Sequence, residues 1–116
     1  MLLFRKAELA RTQGDPARAI ELFKEAHNCN KKNGEAAAAL ANLAEELEDW
    51  DLATKTLRTI SLLDTECPIS RGEAFLRQGK IAYRMGDQKG ALMWARRAKR
   101  EEPSSTEIDR FIEEIS

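Results

Sequence analysis

Apolar residues along this chain recur at the spacing of one face of an α-helix. Ala53, Leu57, Ile60 and Leu63 follow one another at steps of three and four, which is the periodicity of an amphipathic helix. Valine is absent, and no run of β-branched residues alternates in the manner of a strand. The pattern therefore predicts an all-α chain. Its seven helices are expected at about 2–13, from Pro16 to near Asn33, 35–48, 50–63, from Arg71 to near Gly86, 88–101 and 106–115.

A second pattern, of small residues and turns, occurs three times in the same order. The turns are Gly14-Asp15, Glu48-Asp49 and Gly86-Asp87. A small residue precedes each turn at a fixed distance (Ala7, Ala41, Gly79), and another follows it (Ala19, Ala53, Ala91). The period is 34 residues and then 38, the longer one holding four extra residues at Thr65-Glu66-Cys67-Pro68. A period of this size predicts a solenoid of antiparallel helix pairs.

Two segments of the form Ser-x-x-Glu predict capping boxes at helix starts. One is Ser70 to Glu73, before the fifth helix, and the other is Ser104 to Glu107, before the last helix. The apolar face of the last helix (Ile108, Phe111, Ile112, Ile115) is followed by no further repeat. We expect this helix to cover the end of the stack, as repeat proteins require.

In this register the chain resembles the tetratricopeptide repeat family over essentially its whole length. The family's three small positions fall at Ala7, Ala19, Ala26, then Ala41, Ala53, Ile60, then Gly79, Ala91, Ala98. Lys6 and Gln78 depart from the family, which prefers Leu there, and Ala95 replaces its aromatic residue. The resemblance implies one domain over 1–116, a right-handed superhelical stack of antiparallel helix pairs. Its repeats would span about 1–33, 34–67 and 72–105, with a capping helix at about 106–115.

The resemblance also implies a protein-interaction module whose concave groove, lined by the first helix of each repeat, binds a partner peptide or helix. Arg77, Lys80 and Arg84 share one helix face with Tyr83 beside them, which predicts a basic anchor for an acidic peptide or terminal carboxylate. Asn42 would hold the backbone of the partner. The alternative is a solvated face on which these cations pair with Glu45 and Glu46.

Family members that grip the C-terminal carboxylate of heat-shock chaperones carry a clamp of Lys, Asn, Asn, Lys and Arg. The corresponding residues here are Phe4, Glu8, Ala39, Glu73 and Arg77. Only Arg77 matches, so we do not expect a chaperone-tail adaptor.

Charge is balanced overall and uneven along the chain. The net charge is −1, yet residues 71–100 hold nine Lys/Arg against two acids, and residues 101–116 hold six acids against Arg110. An anionic partner and mutual neutralisation of the two segments both fit this distribution. Nucleic acid is not expected as a partner, because the pI is about 5.9 and Arg96, Arg97, Lys99 and Arg100 are expected to spread around their helix.

Catalysis, cofactors and membranes are not expected either. The single histidine, His27, is predicted to lie on the surface, and no Gly-rich phosphate loop or metal-ligand spacing occurs. Cys29 and Cys67 are expected as thiols, with a disulfide as the lesser alternative. No segment approaches a membrane span or a signal peptide, so we expect a cytoplasmic protein.

A different class of function stays open, that of a structural spacer or self-assembly segment. The chain opens on Leu2-Leu3-Phe4 without a preceding helix cap. Such an apolar start would suit a fragment of a longer repeat array or a homodimer formed through the N-terminal helix.

Overall fold

The computed structural model describes residues 2–116, and their side chains from Leu3 onward. Within this range the chain forms seven helices and no strand, which confirms the all-α solenoid. They are α1 (Leu2–Thr12), α2 (Pro16–Cys29), α3 (Gly34–Glu46), α4 (Trp50–Ser61), α5 (Arg71–Arg84), α6 (Gln88–Glu101) and α7 (Thr106–Ile115).

The helices begin where short polar side chains satisfy free backbone N–H groups. Asp15, Asp49 and Asp87 each accept a hydrogen bond from the N–H three residues on, at 2.9–3.3 Å. Ser70 caps α5 in the same way, at 3.1 Å from the Glu73 N–H. The last cap is displaced from the predicted box, because Ser105 and not Ser104 accepts from the backbone, at the Ile108 N–H.

The three turns inside the helix pairs share one geometry. The residues Gly14, Glu48 and Gly86 all have positive φ, of 77°, 56° and 82°. In each turn the next Asp donates its N–H to the carbonyl five residues back, at 2.9 Å. This is the hydrogen bond of a Schellman motif, which normally places glycine in the left-handed position. Glu48 is therefore a non-glycine residue in a glycine conformation.

Helix packing follows chain order, since the main contacts join each helix to the next. The recurring small residues Ala7, Ala19, Ala41, Ala53 and Ala91 are fully buried at these crossings. Larger side chains fill the spaces between pairs; Phe23, for example, packs with Leu40 and Leu43 of the following repeat. The fold is therefore stabilised by contacts between helix pairs as well as by contacts within each pair.

The four extra residues between α4 and α5 fold against the α2–α3 loop. Thr65 donates its hydroxyl proton to the carbonyl of Lys32 at 2.7 Å, and the Cys67 thiol lies 3.4 Å from the carbonyl of Gly34. Cys67 and Cys29 are both free thiols. The insertion is consequently a packed connection between two repeats.

At the other end of the stack, α7 lies on α6 and buries Ile108, Phe111 and Ile115. Its last turn is held by the Gln88 amide, which donates to the carbonyl of Ile115. This arrangement confirms the expected capping helix.

Candidate partner-binding face

Ion pairs between side chains connect the odd-numbered helices across one surface of the stack. Arg11 of α1 meets Glu46 of α3 at 2.6 Å, and Arg77 of α5 meets Glu45 of α3 at 2.9 Å. Lys80 of α5 meets Glu107 of α7 at 2.9 Å. We call this surface, formed by α1, α3, α5 and α7, the odd-helix face. It carries all five residues predicted as the partner-binding site.

Arg77 is the most constrained of the five. Its guanidinium donates to Glu73 at 3.1 Å, to the Asn42 side-chain oxygen at 2.6 Å and to Glu45 at 2.9 Å. Only about 25% of its side chain is exposed. Asn42 and Arg77 are thus in direct contact, and both link α3 to α5. The contact with Arg77 uses the side-chain oxygen of Asn42, and the amide N–H₂ group of Asn42 makes no hydrogen bond among the residues that the structure describes.

Lys80 and Arg84 are held more loosely. The pair between Lys80 and Glu107 is about half exposed on both sides. The Arg84 guanidinium lies 3.9 Å from Glu48, with about two-thirds of each side chain exposed, and 5.3 Å above the ring of Trp50. Exposed pairs of this kind contribute roughly 0–1 kcal/mol, so these two cations can exchange their partners at little cost.

Tyr83 provides an exposed aromatic surface beside these cations. Its ring meets the edge of Phe111 in α7 at 6.3 Å between centroids, and 46% of the residue is exposed. The capping helix therefore orients Tyr83 while leaving much of the ring open to a ligand.

The two acidic residues near the end of α3 form ion pairs with two different helices. Glu45 pairs with Arg77, whereas Glu46 pairs with Arg11 and so with α1. The two carboxylates are adjacent in sequence, yet they pair with two different helices. Sequence position alone did not distinguish them.

His27 was predicted on the surface, and this was wrong. It is 8% exposed, and its Nδ1 is buried without a hydrogen bond among the described residues. Burial, together with the positive charge of Lys31, lowers the pKa of the imidazole below its usual value of 6.5. The equivalent residue of the next repeat, Ser61, is also buried, but the residue types at these two positions do not indicate burial.

The expectation that the α6 cations spread around their helix was also wrong for most of them. Five residues line one shallow depression on this helix: Lys89, Met93, Arg96, Arg97 and Arg100. Their spacing of four, three, one and three residues is that of a single helix face. Arg97 lies 4.9 Å above the ring of Trp94. Within the described side chains, Lys89, Arg96 and Arg100 form no ion pair.

The described residues include no group of three or more His, Cys, Asp or Glu that could hold a metal ion. None of the helices from residue 2 onward combines the length and apolar character that crossing a bilayer requires.

Comparison with known families agrees with this architecture. The model of the tetratricopeptide repeat matches residues 10–71, more than half of the chain. The chain belongs to the tetratricopeptide repeat family. A search of curated protein sequences found no match for it.

Several solved structures share the fold at low sequence identity. A crystal structure of MamA protein superposes with a TM-score of 0.79 at 19% identity, over 98% of this chain and 60% of that one. The first TPR domain of Spaghetti (RPAP3), bound to the HSP90 peptide SRMEEVD, gives 0.74 at 18% identity, over 98% and 87%. The Arabidopsis OM64 TPR domain gives 0.74 at 20% identity, over 98% and 91%. The chain thus spans about three-fifths of the MamA chain and nearly all of the two TPR domains.

Proposed function

We propose that this chain is a protein-interaction module that binds an extended, acidic segment of a partner on the odd-helix face. Lys80, Tyr83 and Arg84 make the direct contacts, and the Asn42 amide donates to the partner's backbone. The observation that supports this most is the combination of an exposed Tyr83 ring with two cations in exposed, weakly held pairs. A partner carboxylate can replace Glu107 or Glu48 without leaving a buried charge unpaired.

In this proposal Arg77 supports the site and is not its anchor. A ligand carboxylate could engage its guanidinium only by displacing Glu73, Glu45 or Asn42. Displacing these partly buried partners would cost more free energy than a new, exposed ion pair with the ligand would contribute.

The same geometry argues against binding of a chaperone tail. RPAP3 was solved with an HSP90 peptide, but the clamp position occupied by Glu73 is acidic in this chain and bonded to Arg77. Phe4, at another clamp position, packs edge-on against Phe23 with centroids 5.6 Å apart. Neither residue can hold a terminal carboxylate.

Affinity capture with a charge-matched control tests the proposal. The test variant is Lys80→Glu/Arg84→Glu, and the control is Arg96→Glu/Arg100→Glu, which makes the same change in net charge on α6. We expect a partner that is captured by the wild type and the control and lost by the test variant. Equal capture by all three proteins would contradict the assignment of the odd-helix face. Circular dichroism should show equal helicity in all three.

A second candidate function, self-assembly or a place within a longer array, is favoured by Leu9. Leu43 and Ile81, at the equivalent positions of the later repeats, are only 2% and 3% exposed because the preceding pair covers them. Leu9 is 56% exposed. The Leu2 side chain of the predicted apolar start lies outside the described residues, and Phe4 is packed on Phe23, so Leu9 is the better residue to change.

The state of assembly distinguishes this candidate from the first. If α1 pairs with another copy, light scattering after size exclusion should show a dimer that Leu9→Glu converts to a monomer. Leu62→Glu is the control, since Leu62 is 79% exposed at the end of α4. A wild-type protein that is monomeric at high concentration would argue against self-pairing.

A further inference from the structure

A pocket of about 500 Å³ opens between α2 and α4, and it shares no residue with the proposed partner site. Its size is within the range of small-molecule sites. Its lining consists of Lys24, His27, Asn28, Lys31, Leu40, Leu52, Lys55, Thr56 and Thr59. These residues come from two successive repeats, so the pocket exists only because the repeats stack.

Every charged residue of the lining is a lysine, and none is acidic. Lys24 has one exposed ion pair, with Glu21 at 3.5 Å. Lys31 and Lys55 form none with the described side chains. Two unpaired ammonium groups and a third in a long, exposed pair surround one concave site. This arrangement favours an anion, and lysine acts as a point-charge ligand for phosphate.

His27 adds an observation that is independent of the lysines. The residue is more than nine-tenths buried and lines the pocket, and its Nδ1 has no hydrogen-bond partner in the part of the chain that the structure describes. Of the two ring nitrogens, Nδ1 is the fully buried one, and a neutral ring that carries its proton on Nε2 can donate that proton to a ligand. An anion that accepts from Nε2 would leave Nδ1 unbonded, and its negative charge would favour the protonated form of the ring.

The remaining lining residues limit what else can bind. The hydroxyl protons of Thr56 and Thr59 are donated to carbonyls of α4 itself, at 2.8 Å and 3.2 Å. The available donors are therefore the lysines, Asn28 and His27. Leu40 and Leu52 form an apolar part of the surface, which suits a ligand with an organic group as well as a charge.

We propose that the pocket between α2 and α4 binds a phosphate monoester, with Lys24, Lys31 and Lys55 around the phosphate, His27 donating from Nε2, and the organic group against Leu40 and Leu52. The site is a second function of the stack, independent of partner binding on the odd-helix face.

The single histidine of the chain is a built-in reporter for this proposal. Its ring protons can be followed by NMR while phenyl phosphate or inorganic phosphate is added at constant ionic strength and about pH 7.5. We expect saturable shifts with both probes, and binding of phenyl phosphate about tenfold tighter because its ring covers apolar surface. Equal affinities would overturn the organic part of the proposal, and the absence of saturable shifts would overturn all of it.

Charge-matched variants separate a defined site from general attraction of anions. Lys24→Gln/Lys31→Gln/Lys55→Gln should weaken binding by about tenfold for each lysine that contacts the phosphate. The control, Lys89→Gln/Arg96→Gln/Arg100→Gln, removes the same charge from α6 and should leave the affinity unchanged. Equal weakening in the two triple variants would show that the anion responds only to net charge.

A pH series with sulfate tests the role of His27, because sulfate keeps its charge over the whole range. The charged groups that line the pocket with His27 are Lys24 of α2, Lys31 of the α2–α3 loop and Lys55 of α4. We expect bound sulfate to offset these charges and to raise the pKa of His27 toward its usual value. A pKa that does not move at saturating sulfate would exclude contact between the anion and the ring.

Discussion

Glu48 occupies a backbone conformation that glycine adopts in the other two repeats, and this makes Glu48→Gly a test of the shared turn geometry. An L-residue in the left-handed region costs about 1–2 kcal/mol. Glycine recovers that strain and loses about 0.5–1 kcal/mol through the greater freedom of the unfolded chain. The ion pair that disappears, between Glu48 and Arg84, is long at 3.9 Å and mostly exposed, so its loss is minor.

The expected result is a rise in the free energy of unfolding of about 0.5–1 kcal/mol, or about 2–6 °C in Tm. Urea unfolding followed by circular dichroism measures this change. The slope of the free energy of unfolding against urea concentration should stay the same. Glu48→Asn should also stabilise, since Asn tolerates this conformation and does not add the freedom of glycine.

Gly86→Ala is the reciprocal variant for the same turn. A Cβ at Gly86 would meet nothing within 4 Å, so its effect reports the positive φ alone, and we expect a loss of about 1 kcal/mol. Should Glu48→Gly be neutral or destabilising while Gly86→Ala is harmless, the turns would not share the left-handed requirement argued above.

Three further predictions concern buried positions. Gln78 is 2% exposed and its Oε1 has no hydrogen bond among the described residues, whereas the equivalent residue of the preceding repeat, Leu40, is apolar. Gln78→Leu should therefore raise the free energy of unfolding, measured in urea, by about 1–2 kcal/mol. A lower free energy of unfolding would mean that Oε1 has a partner. The pKa of His27 is lowered from 6.5 in the folded chain, so the unfolded chain binds the proton at a higher pH than the folded chain does. The contribution of His27 to the free energy of unfolding should therefore be complete above about pH 6.5 and should decrease as the pH falls below that value. His27→Gln should remove that part of the fall in urea unfolding at several pH values, and an unchanged pH dependence would assign it to other groups. At Gly34 a Cβ would lie 2.7 Å from the Cα of Cys67; Gly34→Ala should cost about 1–3 kcal/mol, and a neutral result would show that the insertion can move away.

The fold could be predicted from the sequence because the residues that define it act locally and repeat. Small side chains such as Ala19 and Ala53 determine how closely paired helices approach, and Asp15 and Asp49 begin the helices through hydrogen bonds within one turn. Both features are visible as a residue type at a fixed position. Most helix ends were accordingly predicted to within two residues.

The candidate site could be predicted only in part, because its electrostatics depend on contacts between repeats. That Arg77 and Asn42 lie on neighbouring helices followed from the register, but the bonds from Arg77 to Glu45 and Glu73 depend on side-chain directions. The burial of His27 likewise depends on α4 of the following repeat, which forms the other wall of its pocket. Side chains at such junctions have no local sequence signal of their own.

The sequential packing of the helices has a consequence for how the chain is made. Since each helix finds its main partners immediately before or after it in the chain, α1 and α2 can pair as soon as residue 29 has left the ribosome. Every later helix can then pack on a helix that has already been synthesised and folded. No helix has its main partner far away in the chain. Synthesis and folding of this chain can therefore proceed in the same direction, with the unpaired apolar surface lying mainly on the most recent helix pair.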